Sequence, residues 1–312
     1  MSDFITICTQ QDGVLVLNKP KGPTSAGCIA KIKKRLGQKK IGHAGTLDPM
    51  ASGVLLVLLG QGTKLSGHLM DSGEKIYAGT VLLGQTTDTW DAEGKVIATA
   101  DTSTITPAMV EEAVSLMLGY TEQEVPPYSA AKHEGKPLYA LARKGLETPV
   151  KTKTVHVSRV EIEWVDLPQF RFRVACSSGT YIRSLAHSLG IRLQCGATLT
   201  ELTREYSHPF GLNAAHDLDT VLNSPEEFAS RVASIADALP NWPKIALSVA
   251  EEALVRNGVA LPAVGPVADA AQETPGEAHV ILQGSDGIPV ALAKYAKNAT
   301  KPVWVVVRGL WT

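Results

Sequence analysis

One carboxylate, Asp48, lies in a segment whose residue types are typical of a catalytic loop. The segment reads GHAGTLDPMASG over residues 42–53, so three glycines and one proline surround this aspartate. Glycines at this density let the backbone approach a ligand closely, and Pro49 favours an extended backbone at Asp48. A carboxylate presented in this way can act as a nucleophile or general base, or it can close a structural Asx turn. The loop alone leaves both interpretations open.

Two further segments carry residues that could act together with this carboxylate. The run CSSGTYIRSL at residues 176–185 predicts a strand, a glycine turn and a helix start, with Arg183 in the first helical turn. A cation is unfavourable there unless an anion pairs with it, and a carboxylate is the natural partner of a guanidinium fork. Such a fork would also hold the carboxylate ionised. Tyr77, at the start of a predicted strand, either packs across the sheet or presents its hydroxyl to a site.

The composition favours a soluble globular protein. Of the 312 residues, 44% are apolar and 20% are charged, which is ordinary for one large domain or two unequal ones. The start of the chain lacks a secretion signal, and the longest apolar run, residues 54–59, is too short to span a bilayer. The four cysteines lack metal-ligand spacing, and no Walker, dinucleotide or zinc motif is visible. We therefore expect a cytoplasmic protein with no metal, no cofactor and no membrane contact.

The charge distribution is more informative than the net charge of −1. Residues 31–40 contain six basic residues and no acid, and residues 128–173 are also rich in Lys and Arg. A basic stripe of this kind can follow a phosphate backbone, although a solvated helix face would look the same. Residues 213–312, in contrast, carry more acids than bases, so phosphate binding by that part of the chain is less favoured.

The elements that must position these residues predict an α+β fold. Strands outnumber helices, and their order does not alternate as in a doubly wound sheet. Residues 39–50 read as a loop bounded by glycines. Apolar runs and alternation predict strands at 13–18, 54–59, 75–83, 155–165, 170–175 and 199–206. Caps and helical periodicity predict helices at 25–35, 63–70, 106–119, 138–144 and 180–189, the last ended by Gly190.

The composition shifts after residue 213. Helical stretches are predicted at 225–239 and 249–257, followed by an Ala/Pro/Gly-rich region at 258–277. Three strand-like runs then follow, at 279–283, 290–293 and 303–307. This order predicts a catalytic domain over residues 1–240 and a small β-rich module over residues 241–312.

Six segments, taken in order across residues 13–212, closely resemble bacterial TruB-type tRNA pseudouridine synthases. They read NKPKGPTS, GHAGTLDPMASGVL, TK at 63–64, KIYAGTVLLGQTTDTWDAEG, VPPYSAAKHEGKPLYALARKG and CSSGTYIRSLAHSLG. Two departures stand out: Ala44 replaces a common Thr, and Thr203 replaces a common Arg before Arg204. The resemblance implies a mixed, mainly antiparallel sheet of pseudouridine synthase type with a PUA-like C-terminal module.

The resemblance also implies the chemistry and the residues that perform it. The family breaks the N-glycosidic bond of a uridine and rejoins the base to the ribose through carbon 5. Asp48 would be the essential carboxylate, attacking C1′ or removing the C2′ proton, with Arg183 paired to it and Asp91 in the same network. Tyr77 would stack on the target base and could help to remove the C5 proton at the end of the reaction. Tyr181 and Leu202 would line the pocket. His43 would fill the gap left by the flipped nucleotide.

The RNA partner implied by the resemblance is the T-arm stem-loop of tRNA. Further contacts are expected from Lys19, Lys64, Lys132 and Arg143, the last two within an insertion over residues 127–153 that would clasp the RNA loop. The main hypothesis is a monomeric enzyme that needs no protein partner and acts on uridine 55. The alternatives are the catalytic subunit of a guide-RNA-directed pseudouridylation particle and a tRNA-binding folding chaperone. The clasping insertion favours the first, and intact Asp48, Tyr77 and Arg183 disfavour a relic site.

Overall fold

The computed structural model describes residues 9–311, except 72, 130, 134, 143, 147, 274–277 and 298–300. The strands are β1 (Gly13–Lys19), β2 (Ile41–Ala44), β3 (Ala51–Leu59), β4 (Lys75–Leu83), β5 (Gln85–Thr87), β6 (Val96–Thr99), β7 (Gly119–Glu124), β8 (Lys132–His133), β9 (Lys136–Pro137), β10 (Thr152–Asp166), β11 (Gln169–Cys176), β12 (Ala197–Ser207), β13 (Phe210–Gly211), β14 (His216–Asp217), β15 (Val232–Ala233), β16 (Lys244–Ala246), β17 (Leu261–Pro262), β18 (His279–Gln283), β19 (Pro289–Lys297) and β20 (Pro302–Gly309). The α-helices are α1 (Ser25–Leu36), α2 (Ser66–Asp71), α3 (Pro107–Ser115), α4 (Leu138–Ala142), α5 (Ile182–Arg192), α6 (Leu218–Asn223), α7 (Val249–Arg256) and α8 (Pro266–Glu273).

A mixed, mainly antiparallel sheet forms the centre of the molecule. Its strands follow the order β14-β1-β3-β12-β4-β11-β10-β7, and the pairs β1–β14 and β3–β12 are parallel. The predicted α+β class is therefore confirmed. The parallel pairing of β12 with β3 matters for function, because it brings a strand from the second half of the chain beside the strand that follows Asp48.

The central strands β1 and β3 are buried on both faces, which explains their continuous apolar sequences. Side chains alternate between the faces. Leu15, Leu17 and Leu55 belong to one hydrophobic cluster together with helices α1, α3 and α5. Val14 and Leu56 belong to a second cluster, which includes residues 235–239 and side chains of the C-terminal sheet.

The C-terminal residues form a separate five-stranded sheet in the order β16-β18-β19-β20-β17. It has its own hydrophobic core, which includes Val255, Val280 and Trp304. Leu292 and Leu310 reach across into the second cluster of the central sheet, so the module covers one face of β1 and β3. The predicted β-rich, PUA-like module is confirmed, and the domain boundary near residue 240 stays a prediction.

Three sequence-based expectations about elements are wrong. The predicted loop 39–50 contains strand β2, which pairs with β3. Residues 225–239 form 3-10 turns and the short strand β15 instead of an α-helix. Helix α5 does not end at Gly190 but continues to Arg192. The glycine is required for close packing instead, because a Cβ there would lie 2.2 Å from the backbone nitrogen of Ala197.

The sequence does not predict strand β7, because most of its residues are polar. Its sequence GYTEQE has one buried side chain, Gln123, as expected for a strand at the edge of a sheet. β7 pairs with β10 so that Glu124 lies opposite Thr152. The insertion of residues 127–153 therefore leaves and re-enters the sheet between two paired strands, and the described part of it contains the β8–β9 pair and helix α4.

Candidate active site

Asp48 lies on a loop between β2 and β3, and hydrogen bonds from other parts of the protein hold the backbone of this loop. Arg204 on β12 donates from NH2 to the Gly45 carbonyl (2.9 Å). The Ser25 hydroxyl bonds both the amide and the carbonyl of Leu47, at 2.9 and 3.0 Å. On the far side of Asp48, the Gly22 amide donates to the Pro49 carbonyl at 2.8 Å. The position of the Asp48 backbone is thus set by contacts outside the loop.

The Asp48 carboxylate forms a two-point contact with Arg183. The Nε of Arg183 lies 3.0 Å from Oδ2 of Asp48, and NH2 donates to Oδ1 at 3.3 Å. The Arg183 side chain is only 5% exposed, whereas the Asp48 side chain is 33% exposed. The carboxylate is therefore oriented by a buried guanidinium and still open to an incoming molecule. This geometry excludes the interpretation of Asp48 as a purely local Asx turn.

Arg183 is held in turn by groups from two other parts of the chain. Its NH1 lies 3.4 Å from Oδ2 of Asp91 and donates to the Thr89 carbonyl at 3.1 Å. Its NH2 also donates to the carbonyl of Tyr128, at the start of the insertion (3.0 Å). Asp91 is buried, and its Oδ1 accepts from the Thr89 hydroxyl at 2.7 Å. The structure thus brings Asp48, Arg183 and Asp91 into one network.

Burial raises the pKa of Asp48 above its ordinary value, and the nearby Asp91 carboxylate acts in the same direction. The positive charges of Arg183 and Lys19 oppose this rise. The pKa of Glu93, which faces the same cluster, is also raised by burial and by the two aspartates. A carboxylate with a raised pKa is more basic and more nucleophilic than an ordinary one.

We expect the activity to show an acid limb above about pH 4, the ordinary pKa of aspartate. The rate should rise with pH as Asp48 loses its proton and then level off, because the ionised form is the reactive one. The measurement is the single-turnover rate between pH 3 and 8 after brief exposure to each pH. An acid limb below pH 4 would contradict the raised pKa.

Tyr77 lies on β4 with its side chain buried, directly opposite Arg204 of β12. Burial raises the pKa of its hydroxyl, and the Arg204 guanidinium partly offsets the effect. The phenol therefore stays protonated around neutral pH. Arg204, the cross-strand neighbour of Tyr77, also bonds the Gly45 carbonyl of the loop that carries Asp48, so Tyr77 lies on the strand beside that loop's anchor.

The other predicted pocket residues lie at the edges of this network. Leu202 is buried on β12, opposite Ala51 of β3. Tyr181 is the N-cap residue of α5. The side-chain amide of Gln123 forms two hydrogen bonds with the Tyr181 backbone: it accepts from the amide at 2.7 Å and donates to the carbonyl at 2.9 Å. His43 lies on β2, and its buried Nδ1 has no hydrogen-bond partner among the described residues.

Two lysines predicted to contact RNA have other roles in the structure. Lys19 is 0% exposed, and its Nζ donates to the carbonyls of Pro20, Pro49 and Ala51 at 3.0, 3.3 and 2.7 Å. A phosphate cannot reach it. Lys64 donates to the carbonyls of Gly309 and Trp311, so it ties the catalytic domain to the C-terminal sheet. The sequence marks both as lysines near motifs but does not show their burial.

We expect Lys19→Met to destabilise the fold by about 1–3 kcal/mol, because buried carbonyls lose their donor. Urea unfolding measures this loss, and Lys21→Met, at an exposed neighbouring position, is the control with no change expected. The slope of log affinity for tRNA against log salt should stay the same, since a lost phosphate contact would reduce it by about 1. Unchanged stability together with a shallower salt slope would contradict this prediction and would indicate that Lys19 contacts RNA.

Of the two basic residues predicted in the insertion, Lys132 lies on β8 and is described by its backbone alone, whereas Arg143 lies outside the described residues. Within the described ranges, His, Cys, Asp and Glu side chains form no group of three or more that could hold a metal ion. The network around Asp48 is built from ion pairs and backbone carbonyls.

Three residues that position the site were not predicted from the sequence: Ser25, Gln123 and Arg204. Each is a buried polar side chain that bonds the backbone of a functional loop. Gly45 has a φ of +80°, and a Cβ there would lie 3.3 Å from NH1 of Arg204, so this guanidinium also explains the glycine. The sequence shows Thr203-Arg204 where Arg-Arg is common, but the partner of Arg204 on the catalytic loop is visible only in three dimensions.

Comparisons with known proteins agree with this geometry. A model of the N-terminal domain of the TruB family of pseudouridylate synthases matches residues 33–182. The chain is 63% identical to the tRNA pseudouridine synthase B of Nitratidesulfovibrio vulgaris strain Hildenborough, over 97% of this chain and 99% of that protein. It is 62% identical to the protein of the same name from Oleidesulfovibrio alaskensis strain G20, over 97% of each.

Among solved structures, a chain of a Cbf5-Nop10-Gar1 complex matches with a TM-score of 0.72 and 26% identity, over 96% of this chain and 85% of that chain. The mixed sheet, the C-terminal β module and the arginine-paired aspartate before a central strand together define a pseudouridine synthase. The extent of the match with the two bacterial relatives then decides the family. The chain belongs to the TruB family of pseudouridine synthases.

Proposed function

We propose that this protein isomerises uridine 55 in the T-loop of tRNA to pseudouridine, with Asp48 as the essential carboxylate. The observation that carries the proposal is the two-point contact between Asp48 and the buried Arg183 on a loop that external hydrogen bonds hold in place. The two relatives at 62% and 63% identity, both named tRNA pseudouridine synthase B, support tRNA as the substrate.

The reaction is a redox-neutral isomerisation. The bond between C1′ and N1 of the uridine breaks, the base turns, and a bond forms between C1′ and C5. The proton on C5 is lost, and N1 gains one, so no atom enters or leaves overall. Asp48 either attacks C1′ to form a covalent ester, which the rejoining base displaces, or removes the C2′ proton and later returns it.

Each residue around Asp48 has a separate role in the proposed reaction. Arg183 would hold both carboxylate oxygens in one orientation, and Asp91 would keep that guanidinium in place. Tyr77 would stack on the target base, and its raised pKa favours this role over proton removal by a phenolate. Leu202 and Tyr181 would complete the wall of the pocket.

The target base must leave the RNA loop to reach Asp48. His43, on β2 directly before the catalytic loop, would occupy the space that the base vacates. The insertion over residues 127–153 would clasp the RNA loop, with Lys132 and Arg143 directed at phosphates, which position RNA without reading its sequence. The bond from Arg183 to the Tyr128 carbonyl links this insertion to the catalytic network.

The strongest alternative is the catalytic subunit of a guide-RNA-directed particle, which the likeness to the chain from the Cbf5-Nop10-Gar1 complex favours. The identity to that chain is 26%, against 63% to the tRNA pseudouridine synthase B of Nitratidesulfovibrio vulgaris strain Hildenborough. A tRNA-folding chaperone is the third hypothesis.

We propose that the protein acts as a cytoplasmic monomer without a protein partner, with its domain boundary at residue 240. The described residues include no helix long and apolar enough to cross a membrane.

One experiment separates the three hypotheses. Purified protein is incubated with an unmodified tRNA transcript, and pseudouridine is mapped by carbodiimide-dependent stops of reverse transcription. We expect one stop, at position 55, and none in a control transcript with cytidine at that position. Product that appears only after addition of a guide RNA would favour the second hypothesis. Binding without product at any position would favour the chaperone.

A further inference from the structure

Trp90 and His187 form a stacked pair next to the catalytic network. Their ring centroids are 4.2 Å apart, and the ring planes differ by 6°. Trp90 is 6% exposed, and the buried Nδ1 of His187 has no hydrogen-bond partner among the described residues. Nδ1 of His187 thus makes no hydrogen bond among the described residues, and the imidazole packs flat against the Trp90 ring.

The backbone of Trp90 adopts a conformation that a tryptophan rarely has. Its φ is +64°, in the left-handed region that is unfavourable for residues with a Cβ. The turn is nevertheless well connected, because the Trp90 carbonyl accepts from the Leu199 amide at 3.1 Å and the Ala92 amide donates to the Leu199 carbonyl at 3.0 Å. Strain of this kind persists where surrounding contacts over-determine the conformation, and it occurs frequently at functional sites.

The two chain neighbours of Trp90 are the residues that hold Arg183. Thr89 supplies a carbonyl to NH1 of Arg183, and Asp91 supplies its carboxylate to the same nitrogen. His187 lies four residues after Arg183 on α5, so the two side chains leave the helix on the same side, one turn apart. The turn of residues 89–91 therefore contacts α5 at two successive points, through the guanidinium and through the stacked rings.

We propose that Trp90 and His187 are positioning residues for the reaction, and that their stack holds the strained turn against α5 so that Arg183 keeps Asp48 in its reactive orientation. Neither ring contacts Asp48 in the described interactions, so the pair acts through Arg183. This inference rests on the proposed function of Asp48 and Arg183. It goes beyond that function, because it extends the site to an aromatic pair one helical turn away.

Four variants test the pair. Trp90→Gly removes the ring while accepting the positive φ, and His187→Ala removes the other ring without touching the turn. Trp90→Phe and His187→Phe each keep a flat ring available for stacking. The readouts are the single-turnover rate at saturating enzyme, the Kd for tRNA and the pH of the acid limb.

We expect Trp90→Gly and His187→Ala to lower the single-turnover rate by about 10²-fold, the effect of a small misplacement of reacting groups. The Kd should stay close to the wild-type value, and the acid limb should move to higher pH because Arg183 stabilises ionised Asp48 less well. The double variant should be no slower than either single variant, because both remove one contact. The two Phe variants should recover most of the rate.

The control is Tyr295→Leu, which breaks the Tyr295–Trp304 ring pair in the C-terminal sheet. It should lower Tm without moving the rate or the acid limb, as a purely structural contact would. An active wild type together with unchanged rates and acid limbs in Trp90→Gly and His187→Ala would overturn the positioning role alone. A wild type that forms no pseudouridine would overturn the proposed function and this inference together.

Discussion

Asp48→Asn is expected to lower pseudouridine formation by about four orders of magnitude or more, the scale seen when an essential nucleophile or base is removed. Asn has nearly the same shape as Asp but offers neither a nucleophilic oxygen nor a basic one. The loss should appear in the chemical step, because the RNA contact that we propose extends beyond Asp48 to the insertion over residues 127–153. Single-turnover rates and Kd values for the same tRNA transcript separate the two effects.

The fold should tolerate this substitution. The loop backbone is held by Arg204, Ser25 and Gly22, none of which bonds the Asp48 side chain. Arg183 would still face Asp91, so its buried charge keeps a partner. Burial raises the pKa of Asp48, which means that the ionised form is less favourable in the folded protein than in the unfolded chain. Removing this charge therefore carries little cost, and Tm should change by a few degrees at most. A loss of tRNA binding as large as the loss of rate would show that Asp48 is structural.

Arg183→Lys is expected to lower the single-turnover rate by about 10²–10³-fold although the positive charge is kept. The guanidinium of Arg183 contacts both oxygens of Asp48, the carboxylate of Asp91 and two backbone carbonyls. An ammonium group is a compact point charge that cannot reproduce this planar fork. The Asp48 carboxylate should consequently lose its fixed orientation.

The pH profile of this variant gives a second, independent readout. Arg183 opposes the rise of the Asp48 pKa, so a weaker contact should move the acid limb to higher pH. The matched control is Arg192→Lys, an exposed arginine at the end of the same helix, for which we expect wild-type rates. Near-normal rates for Arg183→Lys would contradict the role of the fork.

The central elements of the fold could be predicted because their signals are local. Strands β1, β3 and β4 each contain a run of apolar residues, and α1 has the Thr24 cap, whose hydroxyl accepts from the Gly27 amide at 2.9 Å. Strand β7 and the turns of residues 225–239 have no such signal. The first is a polar edge strand. The second follows long-range contacts, because its residues 232–233 pair with β1 and its residues 235, 236, 238 and 239 pack in the second hydrophobic cluster.

The sequence by itself determined which residue types the site needs. The glycines and proline around Asp48, and the cation at the start of a helix, follow from backbone conformation and the helix dipole, which depend on neighbours in the chain. The order of the motifs was sufficient to indicate the family. The partner of Arg183 could be predicted by type, although it lies 135 residues away.

Only the tertiary structure decided which of these residues face a substrate and which face the protein. Lys19 and Lys64 look like RNA contacts in the sequence, but they donate to buried or inter-domain carbonyls. Arg204 and the Trp90–His187 pair have no local signature, because their partners come from strands and helices far away in the chain. Burial and long-range pairing depend on how sheet and helices pack, and that information is spread over the whole sequence instead of any one segment.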